Sequence, residues 1–144
     1  MVYVSNTDIQ HWSDGVIRFL NTIKDDSFVL LHEDFYLTQP VDKHGIENLW
    51  KHHHAFDRVS LLGNHTPSRT EKWNEFFVHR HEGEYQFSFE ASIQNKHFLL
   101  ENLKPGLDPW ESERVMAKVA KGKVLSSEHP VIWYEDKSRR LEIK

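Results

Sequence analysis

The chain has 144 residues, no cysteine, 38% apolar and 28% charged residues, enough for one domain with a core and too little for two. The absence of Cys removes disulfides, thiolate nucleophiles and Cys-zinc sites. Eighteen basic against 22 acidic residues, a net charge of -4, argue against a general nucleic-acid or membrane-surface binder, and no stretch approaches the roughly 20 apolar residues of a membrane helix. Asn6, Thr7 and Asp8 stand where a signal peptide would need an apolar core, so a soluble, cytoplasmic protein is expected. Protonating all 11 His would carry the net charge from -4 to +7, which makes solubility and association pH-sensitive.

Met1–Val4 reads as a short strand and Asn6-Thr7-Asp8 as a turn. Ser13 or Asp14 is expected to cap a helix carrying Val16, Ile17, Leu20 and Ile23, ended by Lys24-Asp25-Asp26-Ser27. Phe28-Val29-Leu30-Leu31 is a continuous apolar run, the pattern of a strand buried on both faces, and helix-turn-strand is the second half of a βαβ unit. Asp42 should cap a second helix through Ile46, Leu49 and Trp50 to about His54, and residues 59–62 read as a strand. Residues 63–80 have no clear period and read as a long loop, a candidate lid. Residues 85–93 alternate, with Tyr85, Phe87, Phe89, Ala91 and Ile93 inward and Gln86, Ser88 and Glu90 outward, either solvated or lining a cleft, the pattern of a half-buried strand. Helices are expected over 96–103, stopped by Pro105-Gly106, and over 110–121, ended by Gly122. A last strand at 131–134 and a charged tail at 137–144 complete a single α/β domain, a mixed sheet flanked by helices.

Three groups could carry chemistry. Glu33-Asp34 follows the apolar strand, and ligands in open α/β sheets bind beyond the carboxyl ends of strands. Two acids there suit a hard divalent cation such as Mg²⁺ or Mn²⁺, or merely the capping of the next turn. Glu111 and Glu113 open a helix behind Pro109, where acids favour the dipole and where either could act as a general base. In Trp12-Ser13-Asp14 the plain reading is a core ring and a helix cap. His52-His53-His54 cannot converge on one ion from a rigid helix, because successive side chains point about 100° apart, and an exposed helix end is expected. His79-Arg80-His81 reads as loop.

The ordered set resembles a family. Trp12-Ser13-Asp14-x3-Arg18-x-Leu20, Phe28-Val29-Leu30-Leu31-x-Glu33-Asp34-Phe35-x-Leu37 and Pro40-Val41-Asp42 are similar to the middle of predicted bacterial and phage glycosyltransferases of the GT-A type. The likeness continues in Tyr85-x2-Ser88-x2-Ala91-Ser92-Ile93, Phe98-Leu99-Leu100, Pro109-Trp110-Glu111-x-Glu113 and Pro130-Val131-Ile132-x-Tyr134, and spans residues 10–134. It implies an α/β protein that moves a sugar from a nucleotide-sugar donor. Glu33 and Asp34 would bind the metal and the donor diphosphate, Glu111 or Glu113 would be the base, and Trp12 and Asp14 would lie near the donor. Members of the family carry a further N-terminal βα segment that contacts the nucleotide base, and here Met1 falls just before the Trp-Ser-Asp helix. The expectation is a truncated GT-A-like sheet with an open edge, completed by a partner chain or a second copy. The alternative is a non-catalytic interaction module, motivated by that missing segment and by five Trp in a small chain.

Overall fold

The computed structural model describes residues 9–32, 35–63, 70–72, 77–80, 86–120 and 124–136. The expectations for Met1–Val4, the turn at 6–8, Glu33 and Asp34, Tyr85, His81, Gly122 and the tail lie outside them. The described elements are α1 (Trp12–Leu20), β1 (Ser27–Leu30), β2 (Phe35–Leu37), α2 (Lys43–His52), β3 (Arg58–Ser60), β4 (Thr70–Lys72), β5 (Phe77–Arg80), β6 (Ser92–Asn95), α3 (Lys96–Asn102), α4 (Pro109–Val119), β7 (Val124–Ser127) and β8 (Tyr134–Asp136). A 3-10 turn, His53–Ala55, follows α2. The fold is mixed α/β. A six-stranded sheet runs β1-β6-β3-β7-β5-β4, and β2 with β8 forms a separate antiparallel ribbon. Only β3–β7 is parallel among the described pairs. No helix among the described residues is long and apolar enough to cross a membrane.

Strand alternation divides the sheet into two unlike faces. Val59, Ile93 and Leu125 share one rung and point to one side. They pack with Leu49 of α2 and with Phe56, Leu61, Val131 and Ile132. The rungs on either side, Arg58–Gln94–Val124 and Ser60–Ser92–Ser126, point to the other face. There α1, α3 and α4 bring Leu20, Leu99, Leu103 and Met116 against Val124, Phe87 and Phe89.

Local signals explain the helices. The Asp42 carboxylate accepts from the Gly45 N–H at 3.0 Å and starts α2, as expected. Asn95 caps α3 through the Phe98 N–H at 3.0 Å. Pro109 stands in the first turn of α4, where its missing N–H costs nothing.

Several expectations are corrected. Neither Ser13 nor Asp14 caps α1. The helix begins at Trp12 behind His11, which makes no side-chain cap bond. Phe28–Leu31 is not buried on both faces: β1 ends at Leu30, lies at the sheet edge, pairs antiparallel with β6, and leaves Val29 43% and Leu31 47% exposed. The βαβ continuation is therefore not what β1 enters among the described residues. The alternating segment is strand only from Ser92. Gln86 to Phe89 are all buried in an irregular stretch, so Gln86 and Ser88 do not face outward. β4 and β5 occupy parts of the supposed loop, which places His79 and Arg80 in a strand. The final strand begins at Tyr134, after Val131 and Ile132 have turned into the core. β7, unforeseen, is a central strand whose second half is serine.

Candidate functional site

β1 and β3 both run antiparallel to β6, and β7 runs parallel to β3. The carboxyl ends of β1, β3 and β7 therefore share one end of the sheet with the start of β6. Ser60, Ser92 and Ser126 line that end and all are buried. Arg58, one rung deeper on the same face, is 1% exposed. Such a polar lining is unusual for the centre of a sheet, where Val and Ile normally stand.

The irregular stretch before β6 crosses this end, and Phe89 is its hub. The Phe89 N–H donates to Glu113 Oε1 at 2.7 Å. The Phe89 carbonyl can only accept, so the His32 Nε2 that lies 2.6 Å away carries a proton and donates to it. The Phe89 ring meets Trp12 edge-on, centroids 4.6 Å apart. Ser92 Oγ donates to the Glu90 carbonyl at 2.5 Å, and Ser88 Oγ reaches Glu90 Oε2 at 3.4 Å. Beneath, Gln94 Nε2 donates to Ser92 Oγ at 2.8 Å and to the Ser88 carbonyl at 3.4 Å.

Glu113 is the electrostatic centre of this group. Burial pushes its carboxyl above the ordinary carboxylate value, and the Glu90 carboxylate pushes the same way. The Phe89 N–H, the Arg58 guanidinium and His32 pull it back, and burial prevails. A half-buried carboxylate moved toward neutrality and held by a backbone donor is suited to take a proton.

The sequence-predicted residues separate cleanly. Trp12 and Glu113 meet at Phe89. Glu111 does not join them: it is exposed and closes a capping box, accepting from the Asp108 N–H at 3.1 Å while its own N–H donates to Asp108 Oδ1 at 2.7 Å. Asp14 also turns elsewhere. Its Oδ1 accepts from the Gly106 N–H at 3.1 Å, and Ser13 Oγ accepts from the Leu107 N–H at 2.9 Å. The two tie α1 to a turn whose Gly106 has φ +77, a conformation L side chains rarely adopt. Glu33 and Asp34 lie outside the described residues; their flanking neighbours His32 and Phe35 are in ring contact at 5.2 Å. The His run ends α2, with His53 donating to the Trp50 carbonyl and stacking on the Trp50 ring.

Sequence reasoning missed His32 and Arg58, and saw Glu90 only as an outward residue of the alternating segment. The available signals were the position of His32 immediately before Glu33-Asp34 and an arginine standing before an apolar strand. The spacing Asp108-x-x-Glu111 is itself a capping-box pattern and could have assigned Glu111 to the helix start.

Beside the site, across Phe89, an apolar groove of about 390 Å³ opens between α1 and β1. Among the described residues no group of three or more His, Cys, Asp or Glu side chains is placed to hold a metal ion. No protein-family profile, curated protein or solved structure matches the chain.

Proposed function

We propose that the chain is a glycosyltransferase of the GT-A type that moves a sugar from a nucleotide-sugar donor to an acceptor hydroxyl, with Glu113 as the base. The observation that carries this reading is the half-buried Glu113 carboxylate, raised by desolvation, beside His32 at the carboxyl end of β1. Of the two acids that the sequence left open, Glu111 is spent on the helix cap. A divalent cation, Mn²⁺ or Mg²⁺, belongs to the proposal through Glu33 and Asp34, the acid pair that follows the apolar strand in the sequence. When bound, such an ion would neutralise charge on the leaving diphosphate.

The chain's own groups do the rest. Glu113 accepts the proton of the acceptor hydroxyl as its oxygen bonds to the anomeric carbon. The bond from that carbon to the diphosphate breaks, and the nucleoside diphosphate leaves with the electron pair. The Phe89 N–H holds one carboxylate oxygen, so the other is aimed rather than free to rotate. His32 fixes the same residue from its carbonyl side, and Trp12 holds its ring.

A second reading, a non-catalytic interaction module, is favoured by β1. This strand stands at the sheet edge with Val29 and Leu31 exposed, where a second copy or a partner strand could pair. One experiment separates the two. Melting is followed with Mn²⁺ and a set of nucleotide sugars. A donor at 100 times its dissociation constant should add about 2.7 kcal/mol of stability. Asp34→Ala should remove that gain, and Glu113→Gln should keep it while abolishing transfer. No response to any donor, with a concentration-dependent oligomer by light scattering, would overturn the transferase reading in favour of the module.

A further inference from the structure

Gln94 of β6 is fully buried. Its amide nitrogen donates to Ser92 Oγ at 2.8 Å and to the Ser88 carbonyl at 3.4 Å. Ser92 Oγ in turn donates to the Glu90 carbonyl at 2.5 Å. One side chain of the sheet thus ties down the irregular stretch on both sides of Phe89. The amide oxygen, Oε1, is buried without a hydrogen-bond partner among the described residues. Leaving such an oxygen unpaired costs stability, and a methionine or leucine would fill the position without that cost. What the amide supplies in return is its pair of N–H donors.

The Ser88 carbonyl and the Phe89 N–H belong to one peptide unit. That unit is planar and trans, so its C=O and its N–H point in opposite directions. Gln94 holds the oxygen on one side, and Glu113 Oε1 accepts from the N–H on the other at 2.7 Å. A rotation that turns the carbonyl away from Gln94 also turns the N–H away from Glu113. Hydrogen bonds in such a chain polarise one another, so the N–H is a stronger donor while the carbonyl is occupied.

We propose that Gln94 is a positioning residue for Glu113: through the Ser88–Phe89 peptide it aims the N–H that holds one carboxylate oxygen, and so fixes where the other oxygen points. That Glu113 is the base of a sugar transfer rests on the reading above; the peptide clamp rests on the hydrogen bonds alone.

The test compares the full chain with Gln94→Met and Gln94→Leu, which keep most of the bulk and remove both donors. Leu125→Ala, on the other face of the sheet, controls for general loosening. Hydrogen exchange is followed at the Phe89 amide, and the Glu113 carboxyl is titrated by ¹³C resonance with its signal assigned through Glu113→Gln. In both Gln94 variants the Phe89 amide should exchange about tenfold faster, and Glu113 should hold its proton about tenfold more tightly, the effect of weakening one hydrogen bond to a charged group. The charged and titratable groups that face Glu113 are Glu90 in the same stretch, Arg58 of β3 and His32 after β1, and all are retained in these variants. Melting should stay near that of the parent, because the unpaired oxygen is removed together with the donors. Leu125→Ala should lower the melting temperature and leave both readouts as in the parent. Readouts unmoved in the Gln94 variants would overturn the inference, as would equal movement in Leu125→Ala. Failure of both Gln94 variants to fold would make the residue part of the core and overturn it too. Both readouts moved, with no transfer from any nucleotide sugar, would leave the clamp in place and sink only the transferase reading.

Discussion

The two faces of one sheet make unlike uses of adjacent residues. In β3, β6 and β7 the residues Val59, Ile93 and Leu125 point toward α2 and pack in one apolar cluster. One pleat away, Arg58, Gln94, Ser60, Ser92 and Ser126 point toward α1, α3 and α4 and are equally buried. Burying hydroxyls, an amide and a guanidinium where Val or Leu would pack costs stability. Both faces carry an apolar core, on the second face built mainly from α1, α3, α4 and the stretch before β6 rather than from the strands. The second gives up part of that stabilisation to keep polar groups and a raised carboxylate at one end of the sheet, the pattern expected of a site rather than a scaffold.

Substitutions in neighbouring positions break or sharpen this contrast. The largest effect is expected on the apolar face. Leu125→Ala should cost about 2–5 kcal/mol in denaturant unfolding, the range for emptying a filled core position. Its chain neighbour should respond in the opposite direction. Ser126 Oγ is buried with no hydrogen-bond partner among the described residues. Ser126→Ala should therefore be neutral or stabilise by about 1 kcal/mol. A loss comparable to that of Leu125→Ala would show the two faces to be alike.

Smaller effects distinguish the two acids of α4. Glu111→Ala removes half of a capping box and should cost about 1 kcal/mol without changing any ligand response. Glu113→Gln should raise the melting temperature at neutral pH, since the amide oxygen still accepts from Phe89 and no charge is buried. The sign follows from linkage. The folded chain binds the Glu113 proton more tightly than the unfolded chain does. The stability this contributes is full below the ordinary carboxylate value and is lost as pH rises through the raised one. The gap between Glu113→Gln and the parent should open between acid and neutral pH and close again in acid. Melting curves across that range check it, and a gap independent of pH would contradict the buried-charge account.

How much of this was legible follows from where the signals are local. The Asp42 cap, the Pro109 start and the apolar stripe of α3 act within a turn of their own helix, and the sequence shows them directly. The apolar run at Phe28–Leu31 misled because a run reports what a strand could bury, not which neighbours it has; here one side of β1 has none among the described residues. The alternation at 85–93 misled because Gln86 and Ser88 are buried as well, and contacts such as Ser88 Oγ to Glu90 Oε2 follow no period. β7 was invisible because half of it is Ser126-Ser127, poor strand formers on opposite faces that are buried only by the neighbouring strands β3 and β5. Glu113 was in view from the start, but its difference from Glu111 lies in a bond to a residue 24 positions away.

The proposed transfer requires Glu113 to come close to the cation that Glu33 and Asp34 are proposed to hold. Mn²⁺ is paramagnetic, and it broadens carbon signals of groups near it. With glutamate side chains labelled with ¹³C, the Glu113 carboxyl, assigned through Glu113→Gln, should broaden on adding Mn²⁺ and a nucleoside diphosphate, and Asp34→Ala should abolish the effect. A Glu113 signal that stays sharp while another carboxyl broadens would place the cation elsewhere and contradict the account.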